Sequence, residues 1–527
     1  MTKIKVAIIV DNMKLSKWQS DALDYASDYL SIDLILNCKN TKNNNKYIKY
    51  FGYYLLNLFS LRNYLTKKLT ILKKYQIINF ESNFEGEWQR IPKDILTQAA
   101  SRDIRVVIKF GMNLLKIDED SPLDILSFHH GDPEEFRGRP AGFYELHSNS
   151  DRVGIVVQSL TNKLDAGKIF ARAYCKIYHH SYRKTAINFY KISQYLLRRA
   201  IINYIDNNPI YLNKIGQIYR LPNNTTVFKF TLKLSFRKIC RLVYGAFYEK
   251  KWNIINFPNT DFEDSLRLSI KEGNIPLFGL KHCFYADPFF NSKGDKFFFE
   301  ALNPLTGLGE IFQVDYENGN HVQRLLAGDG KHFSYPFVFA DRDKEYMLPE
   351  VASHSSPFLL SEPFQSSPEY FIEGLEELRL LDATLCIEDN VYYIFGGLKE
   401  SAADCLYLFF SDNLFGPYEH HPLNPIVIDP RSSRMGGRII RLNGNLFRFG
   451  QNNCYGYGNG LTINKIKSLS KMVYCEEPIG SILYEDACGP HTIDINGKST
   501  LLDFYHDKFS LLAGYRRLVS AGISRIL

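Results

Sequence analysis

Paired cysteines, long apolar runs and a dominant charge sign are all missing from this sequence. Its nine cysteines are odd in number and scattered, and none forms a Cys-x-x-Cys pair. A disulfide framework and a structural zinc site are therefore not expected, and a reducing, cytoplasmic setting fits. No apolar run approaches the ~18–20 residues of a membrane span. The apolar part of Met1–Val10 is too short for a signal peptide and reads as a buried first strand. Charge is nearly balanced, with 64 basic against 57 acidic residues and a net +7. That excess is a weak argument for a polyanion, and no nucleic-acid partner is expected. What the chain has is length and rings. Its 527 residues exceed one hydrophobic core, so two or three domains are expected. Phe and Tyr lift the aromatic share to 14%, a bias that aromatic strands and sugar-binding surfaces both produce.

The first 205 residues alternate strand and helix patterns. Strands are expected at Val6–Val10, Ile32–Leu36, Tyr75–Phe80, Val106–Phe110, Ile125–Phe128 and Val153–Gln158. Helices are expected at Lys17–Tyr29, Lys93–Ser101 and Thr185–Ile205. This order implies a parallel or mixed sheet covered on both faces, with ligands beyond the carboxyl ends of the strands. The apolar stretch Tyr50–Leu61 reads as a core helix or strand, with a membrane surface as the alternative. A helical connector is expected over about 206–250. Its basic amphipathic segment Phe236–Tyr248 reads as a domain bridge, with peripheral membrane contact again the alternative. From 251 to 515 short aromatic and β-branched runs recur between turn signals such as Asn443-Gly444. They imply an all-β domain, and about 265 residues suit five blades of a propeller. No strict repeat of the common propeller families is present. Residues 516–527 read as a tail.

The first candidate site is Ser127-Phe-His-His-Gly-Asp-Pro-Glu-Glu-Phe-Arg-Gly-Arg-Pro140 together with Lys163-Leu-Asp-Ala-Gly167. His129 follows an apolar run, and Asp165 stands 36 positions later (165 − 129). A histidine exchanges protons near neutral pH, and a carboxylate within reach orients it and stabilises its charged form. Either residue alone in a loop would usually be a cap or turn residue. Two of them at neighbouring strand ends form a proton-handling pair.

These residues resemble the signature of the formyltransferases that use 10-formyltetrahydrofolate. The blocks are Ser127-Phe-His129, Phe136-Arg-Gly138, Val153-Gly-Ile-Val156 and Leu164-Asp-Ala-Gly-Lys-Ile169, and the likeness covers about residues 1–200. The resemblance implies an α/β, Rossmann-like domain with 10-formyltetrahydrofolate as co-substrate and no metal. His129 would stabilise an oxyanion or relay protons, and Asp165 would position it and help deprotonate the attacking amine. Gly111 and Met112 would contact the cofactor. The family's asparagine is replaced here by Ser127, a hydroxyl with one donor where an amide has two. The missing donor would come from Ser127 itself, from His130 or from a backbone amide. His130 reads rather as a packing or hydrogen-bonding residue. Arg137 and Arg139 would hold an anionic substrate such as a nucleotide-sugar diphosphate, although Arg137 reads equally as a loop brace. Glu145, near the start of a helix, is a weaker candidate.

In the β-rich part, Ala286-Asp-Pro-Phe-Phe290 resembles the axial element of five-bladed propeller glycosidases. Tyr335–Phe339, Tyr346–Glu350, Leu381–Thr384, Ser411–Tyr418 and Gly489–Thr492 look like the propeller domain attached to plant glucosamine inositolphosphorylceramide transferases. The resemblance puts Asp287, Glu350 and Asp382 at one axis, joined by Arg438 and His491, for binding a sugar or polar ligand. Capping of strand ends is the alternative. Their order, Asp–Glu–Asp, departs from that of the glycosidases. The expected whole is an α/β formyltransferase-like domain followed by a five-bladed β-propeller. It would formylate an amino sugar, nucleotide-linked or in a glycan, for surface polysaccharide. The rival expectation is a glycosyltransferase or a glycan-processing or glycan-binding protein whose propeller carries the site. Oligomeric state stays open.

Overall fold

A computed structural model describes residues 3–40, 49–71, 75–118, 120–258, 265–316, 321–327, 330–351, 355–364, 369–497 and 499–518. Residues 519–527 of the expected tail lie outside these. The chain divides into two compact units, Met1–Ile239 and Cys240–Leu527. Among the described residues no helix is long and apolar enough to cross a membrane.

The first unit is built on one mixed sheet. Its main strands are β1 (Ile4–Asp11), β2 (Leu30–Cys38), β3 (Gln76–Phe80), β4 (Val106–Lys109), β5 (Asp124–His129), β6 (Arg152–Ser159) and β7 (Ile169–Lys176), in the spatial order β7-β6-β5-β4-β1-β2-β3. From β5 to β3 the strands are parallel, whereas β6 and β7 run antiparallel. Val6–Val10 are wholly buried, as an unbroken apolar run covered on both faces requires. One face packs on the helix α1 (Lys93–Ala100) through Ile95, Leu96 and Ala99. A longer helix, α2 (Tyr182–Ile205), buries residues at helical spacing, among them Phe189, Leu196 and Ala200. Ser181 caps it, its hydroxyl accepting from Lys184 N.

The stretch Tyr50–Leu61 corrects an expectation. It is a helix, Phe51–Ser60, but not a core one. Only Tyr53 and Ser60 are buried, and Phe51, Leu55, Leu58 and Phe59 are exposed. Its apolar residues surround the axis, so one-sided packing leaves an apolar face outside. The connector helix is longer than its sequence segment indicated and spans Asn224–Phe247.

Among its described residues the second unit contains five antiparallel-built sheets in chain order, none closed on itself. The first three begin at Tyr285–Phe290, Ser334–Asp341 and Leu380–Glu388. The fourth runs from Arg434–Met435 to Tyr474–Tyr484 and gains Leu266–Leu268 as a parallel edge. In the fifth, Ser499–Phe509 pairs along its whole length with Tyr248–Pro258 from the start of the unit. Polar contacts join successive sheets. Ser292 N donates to Glu345 Oε1 at 2.8 Å (first to second), and the hydroxyls of Tyr335 and Thr384 lie 2.9 Å apart (second to third). Arg434 donates to Asp382 (fourth to third), Arg438 Nε to Asp494 Oδ1 at 2.8 Å (fourth to fifth), and Phe290 N to Asp494 Oδ2 at 2.7 Å (first to fifth).

The opening strands of the first three sheets share a kink. Asp287, Tyr335 and Asp382 take φ of 53°, 46° and 51°, each beside a register shift. Their spacings are 48 (335 − 287) and 47 (382 − 335). Left-handed backbone is costly for such residues. The repeat is one of backbone conformation, carried by different side chains, and so it left no strict sequence repeat.

Candidate functional site

Beyond the carboxyl ends of β4 and β5 lies a cavity of about 1010 Å³. Arg62, Lys67, Lys68, Lys109 and Arg183 line it with positive charge. Trp18, Phe110, Phe128, His130 and Tyr190 supply rings, and no described aspartate or glutamate lines it. Such a wall suits an anionic ligand with a flat ring.

Lys109 was not foreseen. It ends β4 directly opposite Ser127 of β5, and both residues line the cavity. Burial pushes its ammonium down to about 8, while the charges of Asp11 and Asp165 pull the other way. The visible signal was a charged residue closing an otherwise apolar strand. Ser127 is buried, with only a long 3.5 Å contact from Oγ to the Phe128 carbonyl.

The structure brings His129 and Asp165 together, with Nδ1 of the ring 3.5 Å from Oδ1 of the carboxylate. Both are tied. His129 Nε2 lies 2.9 Å from the Phe136 carbonyl, which fixes a proton on that nitrogen. Asp165 accepts from Gly138 N at 2.8 Å and from Gln158 Nε2 at 3.3 Å. Ser127 and His130, which flank His129 in the chain, line the cavity. His130 packs among Trp18, Phe128, Phe189 and Tyr190, and its Nε2 lies 2.9 Å from Ser193 Oγ. Burial, with His129 adding to it, pushes His130 down to about 3, so it meets the cavity as a neutral ring.

Four residues expected at the ligand do not line this cavity. Arg137 is buried and spends its guanidinium on the carbonyls of Leu164 and Gly216, which makes it a brace for the Asp165 turn. Arg139 is exposed and outside the cavity lining. Gly111 is pressed against β1, where a Cβ would come within 2.7 Å of Asp11 N. Met112 donates its N–H to Asp11 Oδ1 at 2.9 Å and is buried. These loops turn inward because orphan backbone donors at the strand ends find side-chain acceptors there.

Glu145 is buried in the helix Phe143–Ser148. Burial pushes its carboxyl up to about 8; its own backbone N–H opposes this, and Glu135 and Asp132 add to it. Between the ordinary carboxylate range and about 8 the folded state holds a proton that the unfolded state has lost. Stability therefore falls as pH rises through that window and levels off above it. Glu145→Gln is expected to raise Tm at pH 8 and to change it little at pH 4.5, as thermal melts across pH would show.

In the second unit Asp287, Glu300, Glu350 and Asp382 contribute to one buried network. His491 lies between two carboxylates, with Nε2 3.0 Å from Asp287 Oδ1 and Nδ1 2.8 Å from Asp503 Oδ2; the second contact lacks hydrogen-bond alignment. Burial disfavours its charge, but Asp503 and Asp287 outweigh that and raise it to about 10. Asp287 also accepts from Thr492 Oγ1 at 2.6 Å. Although Asp287, His491 and Asp503 are close enough together to hold a metal ion, each ring nitrogen faces its own carboxylate. The imidazolium is thus the cation of the cluster. Asp382 takes Arg434 and Gln451 as donors, and Glu350 accepts from Asp382 N at 3.0 Å. Burial and the Asp382 charge keep Glu350 protonated well above the usual range, and burial and the Asp287 charge do the same for Glu300. Trp252 and Tyr457 pack on His491 at 4.2 and 4.8 Å. Arg438 does not join this network. It is bound bidentately to Asp494 and donates to the Phe290 carbonyl. Arg434, Asp503, Glu300 and Tyr457 were missed, for nothing in their local sequence marks them.

Residues 274–499 match the family model described as glucosamine inositolphosphorylceramide transferase 1, N-terminal. That is 226 residues (499 − 274 + 1), less than half of the chain. The rice transferase of that name (Oryza sativa subsp. japonica) is 30% identical over 215 residues, 38% of this chain and 28% of the relative. The chain thus spans under a third of the length of that curated relative. Among solved structures, a formyltetrahydrofolate deformylase from Pseudomonas putida KT2440 is 17% identical with a TM-score of 0.27, covering 39% of this chain and 66% of its own. Zg3597, a family 117 glycoside hydrolase from Zobellia galactanivorans, is 11% identical with a TM-score of 0.30, covering 49% and 90%. Likeness at these scores assigns no function.

Proposed function

We propose that the first unit moves a formyl group from 10-formyltetrahydrofolate to the amine of an amino sugar, nucleotide-linked or part of a glycan. The observation that carries this reading is the acid-free cationic cavity, walled with rings, whose floor holds Lys109 and Ser127 next to the His129–Asp165 pair. The donor set fits the co-substrate. Rings are available for stacking on a pterin, and lysines and arginines for its carboxylates or for a diphosphate. When bound, the folate supplies an activated formyl carbon. Lys109 and Ser127 stand where donors are needed for the negative charge that develops on the formyl oxygen. Asp165, held by Gly138 N beside His129, takes up the amine proton as the new C–N bond forms, and that proton goes to the folate nitrogen as its bond to the formyl carbon breaks.

The second unit is, in this reading, a five-bladed propeller that holds the sugar-bearing substrate. Five successive sheets, polar contacts that run cyclically from one to the next, and a last sheet completed by the unit's first strand support it. The match of residues 274–499 supports a glycan-related role for this unit.

Calorimetry with 10-formyltetrahydrofolate is expected to give saturable binding that weakens with salt. Absence of binding at millimolar ligand would overturn the proposal. A second reading, in which the second unit carries the chemistry, is favoured by the buried Asp287–His491–Asp503 cluster. It would be upheld if Asp287→Asn abolished turnover while Asp165→Asn left it intact.

A further inference from the structure

We propose that the helix Asn224–Phe247 and its neighbour Phe51–Ser60 seat this chain on an anionic lipid surface. The long helix buries only Val227 and Phe230, the latter stacked on Phe143 at 4.2 Å. Its other side carries Phe228, Leu232, Phe236 and Ile239, which are 64%, 55%, 67% and 59% exposed. Their spacings of 4, 4 and 3 (232 − 228, 236 − 232, 239 − 236) place all four within an arc of about 80° at about 100° per residue.

Charge identifies the occupant. The helix has five basic residues and no acidic one. Lys233 and Arg237 clamp it to the first unit, Lys233 Nζ donating to the His147 carbonyl at 2.8 Å and Arg237 to the Leu146 and His179 carbonyls at 3.2 Å. Lys229 and Lys238 bracket the apolar arc on its two sides, the positions from which lysines reach phosphates while rings enter the acyl boundary. The second helix extends the same character. Gly52 N donates to Asn224 Oδ1 at 2.9 Å, so Phe51–Ser60 begins against the start of the long helix. It leaves Phe51, Leu55, Leu58 and Phe59 exposed, and residues 49–62 contain no acid. A second copy of the chain would bring two basic rims face to face across a two-fold axis. An anionic bilayer satisfies the apolar stripe and its basic rim together.

The inference stands apart from formyl transfer. Sedimentation of the full chain with vesicles tests it. Binding is expected to vesicles of phosphatidylglycerol and phosphatidylcholine in equal parts, to weaken as salt rises, and to be lost on phosphatidylcholine alone. The variant F228S/L232S/F236S alters only exposed residues and is expected to lower vesicle binding at least about ten-fold with an unchanged circular dichroism spectrum. K229E/K238E is expected to remove the preference for anionic lipid. Wild-type chain that stays in the supernatant, or a triple variant that binds as well as wild type, would overturn the proposal. So would a concentration-dependent dimer that the triple variant abolishes, since a second copy would then cover the stripe.

Discussion

Lys109→Met is expected to slow formyl transfer by about 10²–10³-fold, the cost of removing one donor from a developing oxyanion. Methionine keeps an unbranched side chain, one atom shorter, and removes the charge. The position beside Ser127 is what makes the lysine matter. In the resembled family an asparagine amide would stand at 127, and a serine hydroxyl offers one donor in place of two. The neighbouring strand supplies an ammonium at the same level of the sheet, on the same cavity floor. Ser127→Asn in the Lys109→Met background should therefore restore part of the rate. The pH dependence provides a second readout. Burial holds Lys109 at about 8, so its charge is present below that value and lost above it. Wild-type activity is expected to fall as pH rises through about 8, and Lys109→Met should lack that limb. Stability should move the other way. A half-buried ammonium with a lowered pKa costs stability below about 8, a cost relieved as pH rises toward the ordinary lysine value. The methionine variant should then melt higher at neutral pH. An unchanged rate, with or without that gain in Tm, would remove Lys109 from the chemistry.

His491→Ala in the second unit is expected to lose about 3–5 kcal/mol of stability, as breaking a buried ion pair does. The ring is enclosed by Asp287, Asp503, Trp252 and Tyr457. Without it, two buried carboxylates face each other with no cation between them, and a cavity remains against the indole. Denaturant unfolding of the two proteins at pH 7 measures the loss. The sign with pH follows from the raised value. His491 is protonated in the folded state up to about 10, whereas in the unfolded chain it titrates in the ordinary histidine range. Its stabilisation is complete below that range and is lost as pH rises through about 10. Wild-type protein should lose stability across that window, and His491→Ala should lack this particular decline. If a metal ion held the cluster instead, a chelator would lower wild-type Tm. An imidazolium predicts no change.

Much of the first unit was legible because its elements follow periods that single residues advertise. The continuous apolar run at Val6–Val10 announced a doubly covered strand, and residues 185–205 announced their helix by spacing. His129 and Asp165 were legible because a strand end and a glycine turn marked each of them. Arg137 was read both as a ligand contact and as a loop brace. Its role as a brace depends on the carbonyls of Leu164 and Gly216, which the local sequence cannot place beside it. Arg438 was misread for the same reason, since Asp494 lies 56 residues away. Tyr50–Leu61 was misread because hydrophobicity reports what a segment prefers, not whether a partner covers it.

The sequence by itself determined the alternation of strands and helices, the change to short aromatic strands near residue 250, and the loop pair that carries His129 and Asp165. These are local properties, set by side-chain period and turn chemistry. Only the tertiary structure decided that Lys109 stands beside Ser127, that His491 joins Asp287 to Asp503, and that the connector helix keeps an apolar stripe outside. Each is a juxtaposition of residues far apart in the chain or a surface left without a neighbour. Burial and Coulomb energy give such groups their chemistry, and both depend on distances that exist only after the sheets have packed.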